Sequence, residues 1–208
     1  MRVNFVFNQL PTNKYVNYYS GVAIETEKKY RLEPKQLAKI SKRLEKLGAT
    51  YAGETFERNY LHRGRLLESH RAILRLRKTN ERTLLTYKKP ISSNGRVKQK
   101  IEFETEVSDV DQTEKIIKAL GYRLSVIYEK RRKTFHLGDV EIVLDELPFG
   151  LFMEIEGAHK DILTAEKALG ARKLKAEVRG YPSLTAKYGR LSGNVMQARF
   201  GKSGAVTD

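Results

Sequence analysis

"GVAIETEKKYRL", residues 21–32, is the stretch on which the interpretation of the whole chain depends. In a β-strand successive side chains point to opposite faces, so Glu25, Glu27 and Lys29 would share one face. The opposite face would carry a more apolar set: Val22, Ile24, Thr26, Lys28 and Tyr30. The charged row is therefore either a solvated outer surface or the wall of a binding site.

The chain has 208 residues and no cysteine, which excludes disulfides, thiolate metal sites and a cysteine nucleophile and favours a reducing compartment. No stretch approaches the roughly 20 apolar residues of a membrane span, and no secretory pattern opens the sequence. We therefore expect a cytoplasmic protein that does not act on a membrane.

The formal net charge is +15, from 40 Lys and Arg against 25 Asp and Glu. Such an excess predicts attraction to an anion: nucleic acid, an acidic membrane surface or a phosphorylated small molecule. Composition alone does not choose among these partners.

Hydrophobic periodicity and turn residues divide the chain into elements. Helices are predicted over 32–48, 108–121 and 161–170, and extended segments over 21–32, 49–64, 71–79, 82–90, 97–107, 124–147 (a hairpin) and 151–157. Residues 1–20 are expected to be a tail or an added strand, 21–190 one domain, and 191–208 a flexible tail. The order strand, helix, three strands occurs twice, and both rounds open with Glu-x-Glu, which indicates an internal duplication.

Two arrangements fit eight strands with one apolar and one charged face each. Either a sheet solvates its charges, or the sheet closes with the charges inside. The charged rows hold six bases and seven acids: Lys29, Arg75, Arg77, Lys88, Lys130, Arg132, Glu25, Glu27, Glu102, Glu104, Asp145, Glu154 and Glu156. Neighbours of the same sign, such as Arg75 and Arg77, suggest ligands for one target, carboxylates for a divalent cation and bases for phosphate. From the residues alone, both arrangements stay open.

The motif E-x-E-x-K in IETEKKY resembles the opening motif of the CYTH superfamily, the triphosphate tunnel metalloenzymes. Its ordered company strengthens the resemblance over about residues 22–190: LRLR (74–77), LTYKKP (85–90), IEFETEV (101–107), EKRRKTF (129–135), VEIVLDEL (140–147) and LFMEIEG (151–157). The resemblance implies an α+β fold, a closed eight-stranded antiparallel β-barrel with helices packed on the outside and a tunnel within.

The resemblance also implies roles for the charged rows. Glu25, Glu27, Glu154 and Glu156 would bind Mg²⁺ or Mn²⁺, with Glu102, Glu104 and Asp145 completing the acidic set. The triphosphate would be held by Lys29, Arg75, Arg77, Lys88, Lys130 and Arg132, with Asp145 among the catalytic residues. Arg179 and Lys187 near the C-terminus receive no firm role.

The function implied is metal-dependent hydrolysis of tripolyphosphate or a small organic triphosphate. One alternative is a class IV adenylate cyclase, although Tyr19-Ser20 stands where many such cyclases carry His-Phe. Another is a non-catalytic polyphosphate or RNA-end binder. The expected partner is a triphosphate-containing small molecule; nucleic acid is not favoured, and a homodimer is compatible. Lys42, Arg43 and Lys46 of the first helix are interpreted as solvated.

Overall fold

The computed structural model describes residues 16–17, 22–94 and 97–201. The tail expected over residues 1–20 lies outside this part except for the two-residue strand β1, Val16–Asn17, which pairs with Val22 and Ala23. No helix in the described part is long and apolar enough to cross a membrane.

The predicted strands and helices occur in the expected order, and several short elements that were not predicted accompany them. The strands are β2 (Val22–Leu32), β3 (Thr50–Arg63), β4 (Ile73–Lys78), β5 (Thr83–Asn94), β6 (Val97–Glu106), β7 (Arg123–Leu137), β8 (Val140–Leu147), β9 (Gly150–Glu156), β10 (Arg190–Ser192) and β11 (Val195–Ala198). The helices are α1 (Pro34–Lys46), α2 (Arg65–Ser69), α3 (Val110–Ala119), α4 (His159–Ala168) and α5 (Tyr181–Tyr188), with a 3₁₀ turn at Ala171–Lys173.

Eight strands form a closed ring of hydrogen-bonded neighbours, in the order β7-β3-β4-β5-β6-β2-β9-β8 and back to β7. Every pairing within the ring is antiparallel, as expected. The sheet as a whole is mixed, because β11 joins β7 in parallel. The fold is thus mostly sheet, of the α+β class.

The ring is built from two equivalent halves. Strand β2, helix α1 and strands β3, β4 and β5 form the first, and strand β6, helix α3 and strands β7, β8 and β9 form the second. Exchanging each strand for its counterpart returns the same ring order. The pairs β2–β6 and β3–β7 map onto themselves, and the pair β5–β6 maps onto β2–β9. The duplication expected from the two Glu-x-Glu strands is therefore present in the topology.

The main apolar core lies on the outer face of the ring. Tyr30 of β2, Ile142 of β8 and Ile155 of β9 are buried beneath Ile40 and Leu44 of α1, together with residues of α4. Apolar side chains at about every third or fourth position of a helix face one side, which fixes these helices against the sheet. Because this face of the strands is covered by helices, the alternate residues point to the interior of the ring.

A second apolar cluster occupies positions of the inward-facing set near one end of the ring. It joins Tyr128, Leu147 and Phe152 to Tyr181 and Leu184 of α5. Helix α5 therefore packs against that end, and the charged rows continue beyond the cluster.

The C-terminal segment differs from its expected form as a flexible tail. In the described part, which ends at residue 201, β10 and β11 form a hairpin over residues 190–198, and Met196 and Ala198 of β11 pack on the cluster containing Leu61 and Val126. The segment is rich in Gly and Ser, which is typical of a flexible tail, but its strand β11 also carries apolar residues and pairs with β7. Composition alone was therefore misleading.

Candidate functional site

Strand β2 shows how the charged rows come to lie inside. Glu25, Glu27 and Lys29 are each at most 6% exposed and share the face that points away from the helices. Lys28 points the other way, and its Nζ lies 2.7 Å from Oε1 of Glu166 on α4. The alternation expected for residues 21–32 therefore holds over residues 24–32, and its charged side lines the interior rather than facing solvent.

Acids and bases of the interior are paired with one another. Near Glu25, the Lys88 Nζ lies 2.6 Å from that carboxylate and 3.0 Å from Glu102. Lys100 Nζ lies 2.8 Å from Glu27 and 3.9 Å from Glu25. Strands β2, β5 and β6 thus contribute one connected group of charges.

A second group joins β2, β7, β8 and β9. Arg132 donates from Nε and Nη2 to the two oxygens of Asp145, at 2.7 and 2.6 Å, and from Nη2 to Glu154 at 2.7 Å. The Nζ of Lys29 lies 3.0 Å from the other oxygen of Glu154. Bidentate guanidinium–carboxylate geometry fixes both partners in orientation.

Strands β3 and β4 complete the wall. Arg77 Nη2 lies 2.9 Å from Glu104, and its Nη1 lies 3.7 Å from Glu57. Arg75 lies 3.8 Å from Glu104. Lys130, buried beneath them, lies 3.4 Å from Glu57 and 3.6 Å from Asp145.

These neighbours shift the protonation of the buried groups. Burial alone would raise the pKa of Glu57, but Lys130, Arg132 and Arg77 outweigh it and lower that pKa to about 2. Burial likewise opposes ionisation of Glu154, yet Lys29 and Arg132 hold its pKa well below the ordinary value. The bases of the ring therefore keep these two carboxylates charged.

The carboxylate of Glu156 is not held in its charged form in this way. Glu156 of β9 stands directly opposite Glu27 of β2 on one side and Glu141 of β8 on the other. Burial, followed by Glu25, Glu141 and Glu27, raises the pKa of Glu156 to about 8. Like charges at directly opposed positions destabilise a sheet. The chemistry of this donor set therefore fits a hard divalent cation, which prefers carboxylate oxygens.

The side chains are arranged as ion pairs rather than as a metal site. Among the described residues, no group of three or more His, Asp or Glu side chains stands in an arrangement that would hold a metal ion. The carboxylates of Glu25, Glu27 and Glu154 instead face Lys88, Lys100 and Lys29. Metal ligation by these residues accordingly remains a prediction.

Helix α5 contributes a residue that the sequence did not single out. Tyr181 donates its hydroxyl to Oδ2 of Asp145 at 2.7 Å, and the Lys29 ammonium lies 3.9 Å from the centre of its ring. Lys29 also donates to the backbone oxygen of Arg179 at 3.4 Å. Of the two C-terminal bases left without a role, Arg179 pairs with Glu177 at 2.6 Å and Lys187 lies over Tyr188.

The thirteen predicted site residues thus lie on one inward face, and the structure adds others to it. Glu57, Lys98 and Lys100 were missed, although Lys98 and Lys100 share the alternation of Glu102 and Glu104 along β6. Every second residue of β6 before Glu102 faces the same side, so the alternation of this strand predicts both lysines. Glu57 lies in a stretch without clear alternation, and Tyr181 reaches the site only through tertiary packing.

Comparison with known proteins gives a family and a fold. The model of the CYTH domain matches residues 23–182. No curated protein matches the chain. Among solved structures, the PH1012 protein of Pyrococcus horikoshii OT3 is similar at 25% identity, covering 77% of this chain and 98% of its own, with a TM-score of 0.68.

Two more distant structures share the fold. A putative adenylate cyclase from Vibrio parahaemolyticus is 19% identical, covers 78% of this chain and 98% of its own, and has a TM-score of 0.66. A putative adenylyl cyclase from Hippeastrum, described as having a dominant triphosphatase activity, is 17% identical, covers 82% and 97%, and has a TM-score of 0.60.

Proposed function

The chain belongs to the CYTH domain family, whose model matches residues 23–182, and we propose that it is a divalent-metal-dependent triphosphatase that binds its substrate inside the ring. The ring would enclose a tunnel, as in the barrel that the sequence predicts. The substrate class is tripolyphosphate or a small organic triphosphate.

The observation that carries this proposal is that one interior gathers both carboxylates and bases. The row Glu27, Glu156 and Glu141 places three carboxylates at directly opposed positions, and β4 and β7 contribute the bases Arg75, Arg77 and Lys130 to the same interior. Hydrolysis of a phosphoanhydride needs charge neutralisation on the phosphate oxygens and an aligned nucleophile more than a covalent side chain. An interior with both signs supplies that neutralisation.

Glu25, Glu27, Glu154 and Glu156 would hold Mg²⁺ or Mn²⁺, and the ion would neutralise phosphate oxygens and position water. The bases would exchange carboxylate partners for phosphate oxygens: Lys29, Arg75, Arg77, Lys88, Lys130 and Arg132. Fixed donors of this kind stabilise charge that develops in a transition state without reorganisation.

Asp145 has a positioning role in this proposal. Its two oxygens receive Arg132, and one also receives the hydroxyl of Tyr181, so it fixes the guanidinium in one orientation. Glu102 and Glu104 hold Lys88 and Arg77 in the same manner. A metal-ligand role for these three acids stays a prediction from the resemblance.

The cyclase is the second candidate, because folds like this one include both proteins named adenylate cyclase and one described with triphosphatase activity. The two reactions share substrate binding and differ in the attacking group, water or the ribose hydroxyl. The described interior offers no base-recognition feature that decides between them.

The test is a turnover matrix of tripolyphosphate, thiamine triphosphate and ATP, each with Mg²⁺ or Mn²⁺, in which we expect phosphate release. Glu27→Gln and Glu156→Gln should abolish both the turnover and the rise in melting temperature on adding metal. Glu146→Gln, on the outer face of β8, is the matched control and should retain both. If cyclic AMP were the main product, the triphosphatase proposal would be wrong and the cyclase would be the function. Tight triphosphate binding without turnover in any metal would leave a binding protein.

A further inference from the structure

The ring does not account for the net charge of the chain. Among the described residues, its ion-pair network contains eight bases, Lys29, Arg75, Arg77, Lys88, Lys98, Lys100, Lys130 and Arg132, and seven acids, Glu25, Glu27, Glu57, Glu102, Glu104, Asp145 and Glu154. With Glu156 counted at its formal charge, the set is formally neutral. The excess of +15 therefore belongs to residues outside the candidate site.

Part of that excess is concentrated on two helices that lie side by side. Helix α1 and the stretch from α4 through the 3₁₀ turn to Lys175 pack on the same core cluster. Where α1 ends, the guanidinium of Arg43 fills the space in which residue 170 would carry a side chain, so Gly170 brings the two segments into contact. We call their shared outer surface the basic helical face.

The basic helical face carries ten bases, Lys35, Lys39, Lys42, Arg43, Lys46, Lys160, Lys167, Arg172, Lys173 and Lys175, of which all but Arg43 are exposed. Within the part of the chain that the structure describes, none of the ten takes part in an ion pair. The acids of the same segments are Glu33, Glu45, Asp161 and Glu166, and Glu166 is already neutralised by Lys28. Ten bases are therefore offset by only three remaining acids of these segments, so the face has a formal excess of seven positive charges.

The lysines of α1 form a continuous row. Lys35, Lys39, Lys42 and Lys46 are spaced by four, three and four residues, so they follow one side of the helix. Ile40 and Leu44 are buried on the opposite side. The row is about 16 Å long at 1.5 Å per residue. Each strand of a duplex carries one phosphate per about 3.4 Å of the axis, so a row of this length runs alongside about five phosphates of one strand.

We infer that the basic helical face binds the phosphate backbone of a double-stranded nucleic acid, independently of the chemistry inside the ring. The other polyanion of biological surfaces is an acidic membrane, but a helix that lies on a membrane presents apolar side chains outward. Those of α1 are turned into the core, and its exposed positions are lysines with Pro34, Ala38 and Glu45. Backbone contacts of this kind position a protein without reading sequence.

The experiment measures fluorescence anisotropy of labelled 20-base-pair DNA and RNA duplexes, each without a 5′-triphosphate, at several salt concentrations. The wild-type protein should bind with a dissociation constant of about 1–100 µM near physiological salt, the range of non-specific binding. Lys35→Gln, Lys39→Gln, Lys42→Gln and Lys46→Gln combined should weaken binding at least tenfold. The slope of log K against log salt should become shallower by about 0.9 for each phosphate that the variant no longer neutralises.

The matched control removes the same number of charges elsewhere. Arg82→Gln, Lys115→Gln, Lys118→Gln and Arg123→Gln combined lie at exposed positions away from α1 and α4 and should keep affinity within about twofold. Equal weakening in both quadruple variants, or no binding by the wild type, would overturn the inference. Binding to vesicles with 30% phosphatidylserine but not to duplexes would overturn it in favour of a membrane surface. Triphosphate turnover should be equal in the wild type and both quadruple variants. Duplex binding and triphosphate turnover are thus measured independently, so failure of the inference and failure of the proposed function are distinguishable.

Discussion

Lys28 and Lys29 are neighbours in sequence with opposite surroundings. Each is buried and each faces a carboxylate, Glu166 on α4 for Lys28 and Glu154 inside the ring for Lys29. Glu154 has a second partner in Arg132, 2.7 Å away. Substitution of Lys28 therefore tests an ion pair that supports the fold, whereas substitution of Lys29 tests a residue of the candidate site.

We expect Lys28→Met to have the larger effect on the free energy of unfolding and Lys29→Met to have the larger effect on kcat. Lys28→Met leaves Glu166 without its cation and should lower the free energy of unfolding by about 3–5 kcal/mol. Lys29→Met should be less destabilising, because Glu154 retains Arg132, but should lower kcat for the triphosphate about 100-fold. Urea unfolding and steady-state kinetics check the two rankings. A Lys29→Met enzyme with normal kcat would remove Lys29 from the substrate site.

Glu156 gives a prediction with a defined pH window. Its pKa is raised from 4.5 to about 8, so between these values the folded protein holds a proton that the unfolded chain releases. Stability contributed at low pH is therefore lost as the pH rises through this interval. Without metal, Glu156→Gln should match the wild type near pH 4.5 and exceed its free energy of unfolding by more than about 1 kcal/mol at pH 8. Equal stability of the two proteins across this range would contradict the like-charge arrangement.

At the scale of elements, the hairpin β10–β11 is the clearest departure from expectation. Ala198 is 6% exposed and packs in the cluster that includes Leu61 and Tyr128. The hairpin extends the sheet along the part of β7 that precedes its pairing with β8. It therefore covers a strand edge that would otherwise be open.

Ala198→Asp should place a carboxylate in this apolar cluster and lower the melting temperature by about 5–10 °C, the shift expected for a loss of a few kcal/mol. Ser192→Asp, at an exposed position of the same hairpin, is the control and should shift it by less than about 2 °C, within the usual range of about 0.5 kcal/mol for surface changes. Differential scanning calorimetry distinguishes them. Equal melting temperatures would mean that the hairpin does not support β7.

Elements with strict alternation could be predicted, and elements defined by their neighbours could not. Glu25, Glu27 and Lys29 fix the inward face of β2 because a strand has a period of two. Helix α5 was not predicted, since a segment of eight residues between two glycines carries little periodicity, and Tyr181 is placed by contacts with Asp145 and Phe152. The pairing of Glu156 with Glu27 likewise depends on the register between strands that are distant in sequence, which no local pattern encodes.

At the scale of the molecule, the interior is a set of mutually dependent charges. The interior keeps its negative charge until its low-pKa carboxylates are protonated. These include Glu57, whose pKa is about 2, and Glu154 and Glu25, whose pKa values are lowered. Groups whose pKa is lowered on folding contribute stability above their unfolded pKa, and that stability is lost as the pH falls through the folded value. The protein should accordingly unfold between about pH 4.5 and pH 2, as followed by circular dichroism.

Tripolyphosphate without metal should shift this acid transition to lower pH, by about 0.5 pH units or more when present at 100 times its dissociation constant. Protonation removes the carboxylate partners of Arg75, Arg77 and Arg132, and phosphate oxygens can take their place. Sodium chloride at equal ionic strength is the control, because it screens charge without occupying the interior. An identical shift with both salts would argue against an interior anion site.

The closed ring has a consequence for the order in which the chain can fold during its synthesis. Strand β2 pairs with β6 and β9, both from the second half, and finds no ring partner among β3, β4 and β5. The pairing of Glu27 with Glu156 joins residues that are more than half the chain apart, so it belongs to the slow, high-contact-order steps of folding. During synthesis, the ring pairing of β2 therefore stays incomplete until nearly the whole domain has been translated. The candidate site is consequently among the last features to form.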